Sequence, residues 1–117
     1  MNINELVAID THVHAEISCC QPADLFGKKF DDAADIYFKR AITKRPTIAE
    51  TIEYYRERKT GFVMFTVDSE AGTGRRRIPN EEIAKAAREN SDIMIAFASI
   101  DPHKGIMGAR EARPVDR

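Results

Sequence analysis

The sequence predicts an α/β fold in which parallel strands alternate with helices. Three runs of strand length occur at residues 6–14, 62–67 and 93–100, and amphipathic helical segments lie between them. The first run is apolar at its start, and the other two are apolar along most of their length. Runs that are apolar almost without interruption are typical of parallel strands covered on both faces. Strands that alternate with helices in this way favour right-handed βαβ units around one sheet.

The first run, residues 6–14, ends in three polar residues at alternating positions: Asp10, His12 and His14. Because successive side chains of a strand point to opposite faces, we expect these three to share one face. Two imidazoles at the end of a strand can hold one metal ion, and neutral imidazole suits zinc and other late first-row metals. Asp10 would orient a ligand or approach the metal. The sequence therefore predicts His12 and His14 as metal ligands, against the alternative of chance polar residues in a surface turn.

The long connection after this strand, residues 15–46, contains a helical pattern at 31–43, where apolar residues recur at four-residue spacing. Acidic residues at its start and basic residues near its end complement the helix dipole. Two interpretations stay open for this helix: a lid over a functional site, or an exposed connector.

The only two cysteines, Cys19 and Cys20, are adjacent and cannot form an ordinary disulfide framework. A thiol pair in a loop is favoured over zinc ligation. With no signal-peptide pattern at the N-terminus, we expect a cytoplasmic setting. The net charge of −1 gives no argument for nucleic-acid partners, and no apolar stretch approaches the roughly 20 residues that span a bilayer.

The next helix is predicted over residues 47–59. Thr47 and Glu50 have the spacing of a capping box. Gly61 is suited to a left-handed cap at its end. An apolar stripe marks its buried face: Ile48, Ile52 and Tyr55.

Strand 62–67 is followed by Asp68, which would either contact substrate or, as is more common, bind loop amides. The loop 70–77 contains two glycines and three consecutive arginines. This pattern is too sparse for a phosphate-binding loop, so the arginines are interpreted as a solvated face.

Asn80 is the predicted N-cap of a further helix that ends near Asn90, with Ile83, Ala86 and Ala87 as its buried stripe. Strand 93–100 then leads into a turn. His103 lies in that turn and is left out of the metal site. Residues 109–113 begin like another helix.

Residues 9–14, Ile-Asp-Thr-His-Val-His, resemble the opening of metal-dependent hydrolases of the amidohydrolase superfamily. The closer resemblance is to the amidohydrolase-related family, which includes enzymes of the aminocarboxymuconate-semialdehyde decarboxylase type. Residues 74–83 and 95–105 resemble the second helix and third strand of that family, so the resemblance covers most of residues 5–105.

The resemblance implies a (β/α)₈ TIM barrel with one divalent metal, zinc being favoured, at the C-terminal ends of the strands. His12 and His14 would supply two ligands, and a histidine and an aspartate on later strands would supply the others. The metal would lower the pKa of a bound water toward about 7, or would assist the loss of carbon dioxide. The implied partner is a small-molecule substrate (a carboxylic acid, amide or lactone), not nucleic acid or a membrane.

A (β/α)₈ barrel needs about 250 residues, whereas this chain has 117. The sequence thus predicts a partial TIM barrel: the first three parallel strands with their intervening helices, formed by residues 1–117 as one N-terminal portion. Two functions stay open. One is a metal-dependent hydrolase or decarboxylase. The other is a truncated, non-catalytic fragment that forms a homo-oligomer or pairs with a complementing chain through its exposed sheet. A flavodoxin-like sheet fits the length but leaves the two histidines unexplained.

Overall fold

The computed structural model describes residues 1–22, 24–39 and 44–113. Within these ranges the chain forms α-helices, parallel strands and two short 3₁₀-helices, Ile3–Glu5 and Pro102–Lys104. In chain order, the strands and α-helices are β1 Ala8–His14, α1 Leu25–Tyr37, α2 Ile48–Glu57, β2 Thr60–Phe65, α3 Glu70–Thr73, α4 Asn80–Glu89, β3 Met94–Ala96 and α5 Ile106–Glu111.

The strands form one parallel sheet in the order β1-β2-β3, which confirms the predicted parallel α/β architecture. The ladder between β1 and β2 is irregular. Asp10 pairs with Phe62 and Val13 pairs with Met64, so that three steps along β1 match two along β2. Because the strands are parallel, their C-terminal ends meet at one end of the sheet, where the first-strand histidines lie.

One face of the sheet is covered by α2 and α4. Phe62 and Met64 of β2 have no solvent exposure, and Met94 of β3 is 2% exposed. Both predicted apolar stripes pack against this face and are thus confirmed. Their residues are Ile48, Ile52 and Tyr55 of α2, and Ile83, Ala86 and Ala87 of α4.

The opposite face of the sheet is open to solvent. Ile9 is 45% exposed and Ile95 is 39% exposed, although Val63 between them is buried. Phe97, just after β3, is 59% exposed. Among the described residues no further strand covers the outer edges of β1 and β3. Apolar side chains grouped on an open sheet face favour association with another surface.

The start of α2 agrees with the sequence and its end does not. The Thr47 hydroxyl accepts a hydrogen bond from the Glu50 amide at 3.2 Å, and the Glu50 carboxylate accepts one from the Thr47 amide at 2.8 Å. The predicted capping box is thus confirmed. Gly61 is not the left-handed cap, because Lys59 takes that conformation with φ 48°. Gly61 lies in β2, where an added Cβ would come within 2.9 Å of the Leu6 side chain.

Helix α1 begins earlier than predicted, at Leu25, and ends at Tyr37. Asp31 and Asp32, the predicted start, therefore lie inside the helix. The carboxylates of Asp31 and Asp35 both lie within ion-pair distance of the Arg45 guanidinium. Residues 40–43 of the predicted helix lie outside the described residues.

Asn80 is not the N-cap of α4, as predicted, but its first helical residue; the N-cap position is taken by Pro79. Its amide instead joins the helix to the end of β3: Nδ2 donates to the Ser99 carbonyl at 3.0 Å, and Oδ1 accepts from the Ser99 amide at 2.9 Å. Strand β3 is also shorter than the predicted 93–100. Just after β3 the Phe97 amide still donates to the Met64 carbonyl of β2 at 2.9 Å, and Ser99 then bonds the Asn80 side chain.

Shortening Ile83 to alanine is expected to lower the free energy of unfolding by about 2–5 kcal/mol, because the side chain is fully buried and its removal leaves a cavity. The matched control is Ile36→Ala on α1, where the side chain is 75% exposed; it should change stability by less than about 0.5 kcal/mol. Urea unfolding followed by circular dichroism measures both. Equal losses in the two variants would contradict the assigned core.

Candidate functional site

His12 and His14 lie side by side at the C-terminal end of β1. Their ring centroids are 4.8 Å apart, and both rings pack edge-on against Phe65 of β2. Among the described residues, no hydrogen bond or ion pair occupies either imidazole. The structure therefore brings together the two side chains predicted as ligands.

Asp10 does not join them, and the predicted arrangement of all three residues on one face is wrong. Its carboxylate accepts a hydrogen bond from the Tyr55 hydroxyl at 2.6 Å and another from the His12 amide at 3.0 Å. Tyr55 stacks on Phe62, which belongs to the helix-covered face. The irregular register between Asp10 and Val13 breaks the two-residue alternation and sends Asp10 to the other side of the sheet from His14.

The contact between Asp10 and Tyr55 shifts the pKa values of the two groups in opposite directions. The hydrogen bond from Tyr55 holds the pKa of the Asp10 carboxyl below its usual value of 3.8. Burial, with the same hydrogen bond, raises the pKa of the Tyr55 hydroxyl to about 12. At neutral pH the pair is a carboxylate that accepts from a neutral phenol, and it ties α2 to the end of β1.

A cleft of about 780 Å³ opens beside the two histidines. One wall is the end of β1, and the other is formed by α2 and the segment that precedes it, with Tyr54, Tyr55 and Pro46 among the lining residues. Tyr54 is 52% exposed, so its ring offers an accessible surface. A volume of this size is in the range of small-molecule sites.

The two cations that line the cleft are already paired. Arg45 bonds Glu16 at 2.6 Å and lies within 3.3 Å of Asp35, while Lys44 bonds Glu50 at 2.9 Å. Burial alone would lower the pKa of the Arg45 guanidinium, but its carboxylate partners raise it above the ordinary value. These cations therefore hold the connection after β1 in place.

The spacing of the imidazoles fits a shared metal ion. With Zn–N bonds of about 2.0–2.1 Å, the centroids of two imidazoles on one tetrahedral metal are roughly 5 Å apart, close to the observed 4.8 Å. A third ligand is not beside them in the described part of the chain. The single group of three metal-ligating side chains found there is Cys19, Cys20 and Glu82.

Asp68 and the arginine loop form a separate cluster at the ends of β2 and β3. The Asp68 carboxylate is fully buried and accepts from Lys104 at 2.7 Å, Arg77 at 3.0 Å and the Asp101 amide at 3.0 Å. Burial would raise the pKa of Asp68, but these donors outweigh it and hold the pKa below its usual range. The prediction that Asp68 binds loop amides is confirmed.

The predicted solvated face of three arginines is wrong for two of them. The Arg77 side chain is 14% exposed and pairs with Asp68 and Glu111, and Arg75 bonds Asp31 of α1. Only Arg76 of the three is exposed. Local sequence patterns carry no signal for these pairs, since Glu111 and Asp31 lie 34 and 44 positions from their arginines.

His103 lies in the 3₁₀-helix after β3, as the predicted turn requires, and its side chain is exposed.

Cys19 and Cys20 differ from the expected thiol pair, because their sulfur atoms are joined in a disulfide bond. Such a bond between neighbours closes no long loop of the chain.

Comparisons with protein-family models, with curated proteins and with solved structures found no match to this chain. Within the described ranges, no helix combines the length and the apolar character needed to cross a bilayer.

Replacing Tyr55 with phenylalanine is expected to raise the pKa of Asp10 toward 3.8, because the donor that stabilises the carboxylate is removed. Carboxyl ¹³C NMR titration measures this pKa. A carboxyl with a lowered pKa stabilises the fold above its ordinary pKa and loses this contribution as pH falls. The stabilities of the wild type and the variant should therefore converge in acid. Tyr54→Phe is the control; an Asp10 pKa that moved equally in both variants would refute the assigned contact.

Proposed function

We propose that this chain is a metal-dependent hydrolase or carboxy-lyase of the amidohydrolase-related family, in which His12 and His14 supply two ligands to a divalent metal, with zinc favoured. The observation that carries the proposal is the pair of adjacent imidazoles, 4.8 Å apart, at the C-terminal end of a parallel strand. The C-terminal ends of the strands are where barrel enzymes place their functional groups.

The sheet supports the corresponding fold proposal, a partial (β/α)₈ barrel. Its three strands are parallel and follow one another in chain order, with helices packed on one face. Its other face carries Ile9, Val63 and Ile95, the kind of branched side chains that fill the interior of a barrel. His14 pairs with Phe65 and belongs to the same open face, which would line the interior of the proposed barrel.

In this proposal the residues of the chain have distinct tasks. His12 and His14 hold the metal, and the Tyr55 hydroxyl, through Asp10, fixes the strand that carries them. The cleft beside them takes a small substrate, a carboxylic acid, amide or lactone, against the exposed Tyr54 ring. A bound metal would supply a Lewis acid and an activated water. Because no third ligand lies beside the two histidines among the described residues, we expect this pair to bind zinc weakly, and we expect catalysis only where further ligands complete the site.

The test is a Zn²⁺ titration of the oxidised chain followed by the imidazole NMR signals. The chain has only three histidines, so His103 serves as an internal control. We expect the His12 and His14 signals to shift together while those of His103 stay unchanged. His12→Ala should weaken binding by at least about tenfold, since loss of even an outer-shell partner costs 10–100-fold.

Two outcomes would overturn this assignment. One is an equal shift of all three histidines, which would mean non-specific binding. The other is unchanged Zn²⁺ affinity in both His12→Ala and His14→Ala. Tight one-to-one binding by a monomeric chain would instead contradict the expectation that two ligands are too few.

A second candidate function, a non-catalytic chain that associates with a copy of itself, is favoured by the open apolar sheet face. Ile95→Lys would place a charge on this face, where the wild-type side chain is 39% exposed. We expect self-association of the wild type, measured by sedimentation velocity over a range of concentrations, to be reduced in this variant. Ile36→Lys on α1 is the control. A wild type that stays monomeric at all concentrations would exclude this candidate.

A further inference from the structure

Cys19, Cys20 and Glu82 form a cluster that the proposed histidine site does not use. One ligand atom from each residue lies within 4.8 Å of the others. Both cysteines are exposed, whereas Glu82 is half-buried. The two cysteines come from the connection after β1 and Glu82 comes from the first turn of α4, so the tertiary structure assembles the group.

Glu82 is held against the cysteine segment by hydrogen bonds. Its Oε2 accepts from the Ser18 hydroxyl at 2.6 Å, and its Oε1 accepts from the Cys19 amide at 2.7 Å. The Ser18 oxygen in turn accepts from the amides of Cys20 and Gln21. A parallel bridge between Ile17 and Thr47 fixes the segment just before this point. The carboxylate is therefore positioned beside the sulfur atoms before any ligand arrives.

The charge of this cluster is not balanced by the residues around it. Within the described ranges, no lysine, arginine or histidine forms an ion pair with Glu82. Each carboxylate oxygen accepts one hydrogen bond and keeps a second lone pair for another partner. Once the disulfide is opened, two thiolates and one carboxylate would face a common point. This donor set suits zinc and softer thiophilic metals.

We propose that the reduced chain binds one thiophilic divalent cation through the Cys19 and Cys20 thiolates and the Glu82 carboxylate, and that the Cys19–Cys20 disulfide closes this site. A dithiol reductant would open it by giving two electrons and two protons to the S–S bond, so that two thiols form and the reductant closes into its own disulfide. Binding of the cation then forms two metal–sulfur bonds and releases the two thiol protons to solvent. The fourth position of a tetrahedral ion is left for water.

The experiment is a titration of the full chain with Cd²⁺ alone, followed by the ultraviolet sulfur-to-cadmium charge-transfer band. The chain is prepared in its oxidised form, and in a form reduced with a dithiol that is then removed without air. We expect the reduced chain to develop the band up to one Cd²⁺ per chain, and the oxidised chain to show none. Because both samples have the same sequence, this comparison does not depend on a variant that folds.

Variants assign the three ligands. Glu82→Gln should lower the Cd²⁺ affinity of the reduced chain by at least about tenfold while the band remains, and Glu81→Gln on the same turn should leave the affinity unchanged. Cys20→Ser should abolish the one-to-one band. The double variant His12→Ala/His14→Ala should keep the band, which separates this site from the histidine pair.

Three results would each overturn the proposal: no band in the reduced chain, one Cd²⁺ shared between two chains, or equal affinities of Glu82→Gln and Glu81→Gln. Circular dichroism of each variant shows whether the helices are retained. If Glu82→Gln unfolds, Glu82→Asp, which keeps the charge but shortens the reach, takes its place with the same expected loss.

Discussion

The alternation of side chains along β2 is the constraint on which the rest of the molecule depends. Phe62 and Met64 point into the helix-covered core and have no solvent exposure, while Val63 and Phe65 belong to the other face. Burial of large apolar side chains is the main stabilising contribution to a fold of this size. Both neighbouring strands must pair with β2 in a register that keeps this division, and β1 does so only by accommodating one additional residue.

The composition of the candidate metal site depends on this additional residue in β1. Asp10 pairs with Phe62 and is drawn to Tyr55, whereas His14 pairs with Phe65 and contacts its ring. A regular β1 would have carried Asp10 and the imidazoles on one face. The irregularity separates a carboxylate with a structural role from two imidazoles that, in the described part of the chain, make ring contacts but no side-chain hydrogen bond or ion pair.

Charged side chains around the strand ends mostly stabilise loops. Asp68, Arg77 and Lys104 tie together the segments after β2 and β3, and Arg45 ties α1 to the connection after β1. Each of these ions is at least partly buried, and a buried ion persists only when it is paired. These ion pairs therefore hold the loops together at this end of the sheet. The two candidate cation sites lie outside these ion pairs and differ in kind: the imidazoles beside the cleft, and the Cys19 and Cys20 sulfur atoms with the Glu82 carboxylate of α4.

The sequence by itself determined the parallel strands, helix α2 with its capping box, the buried stripes of α2 and α4, and the pair of histidines. Each of these depends on residues within a few positions of one another, where periodicity and capping act directly. Tertiary structure alone decided that Asp10 points away from the histidines and that Arg77 is half-buried in ion pairs. It also decided that Asn80 bonds Ser99 and that Glu82 lies beside Cys19 and Cys20. These outcomes join residues 9 to 64 positions apart or depend on the register between two strands. Local patterns carry no information about such pairings, because the partners meet only after the sheet and helices have packed.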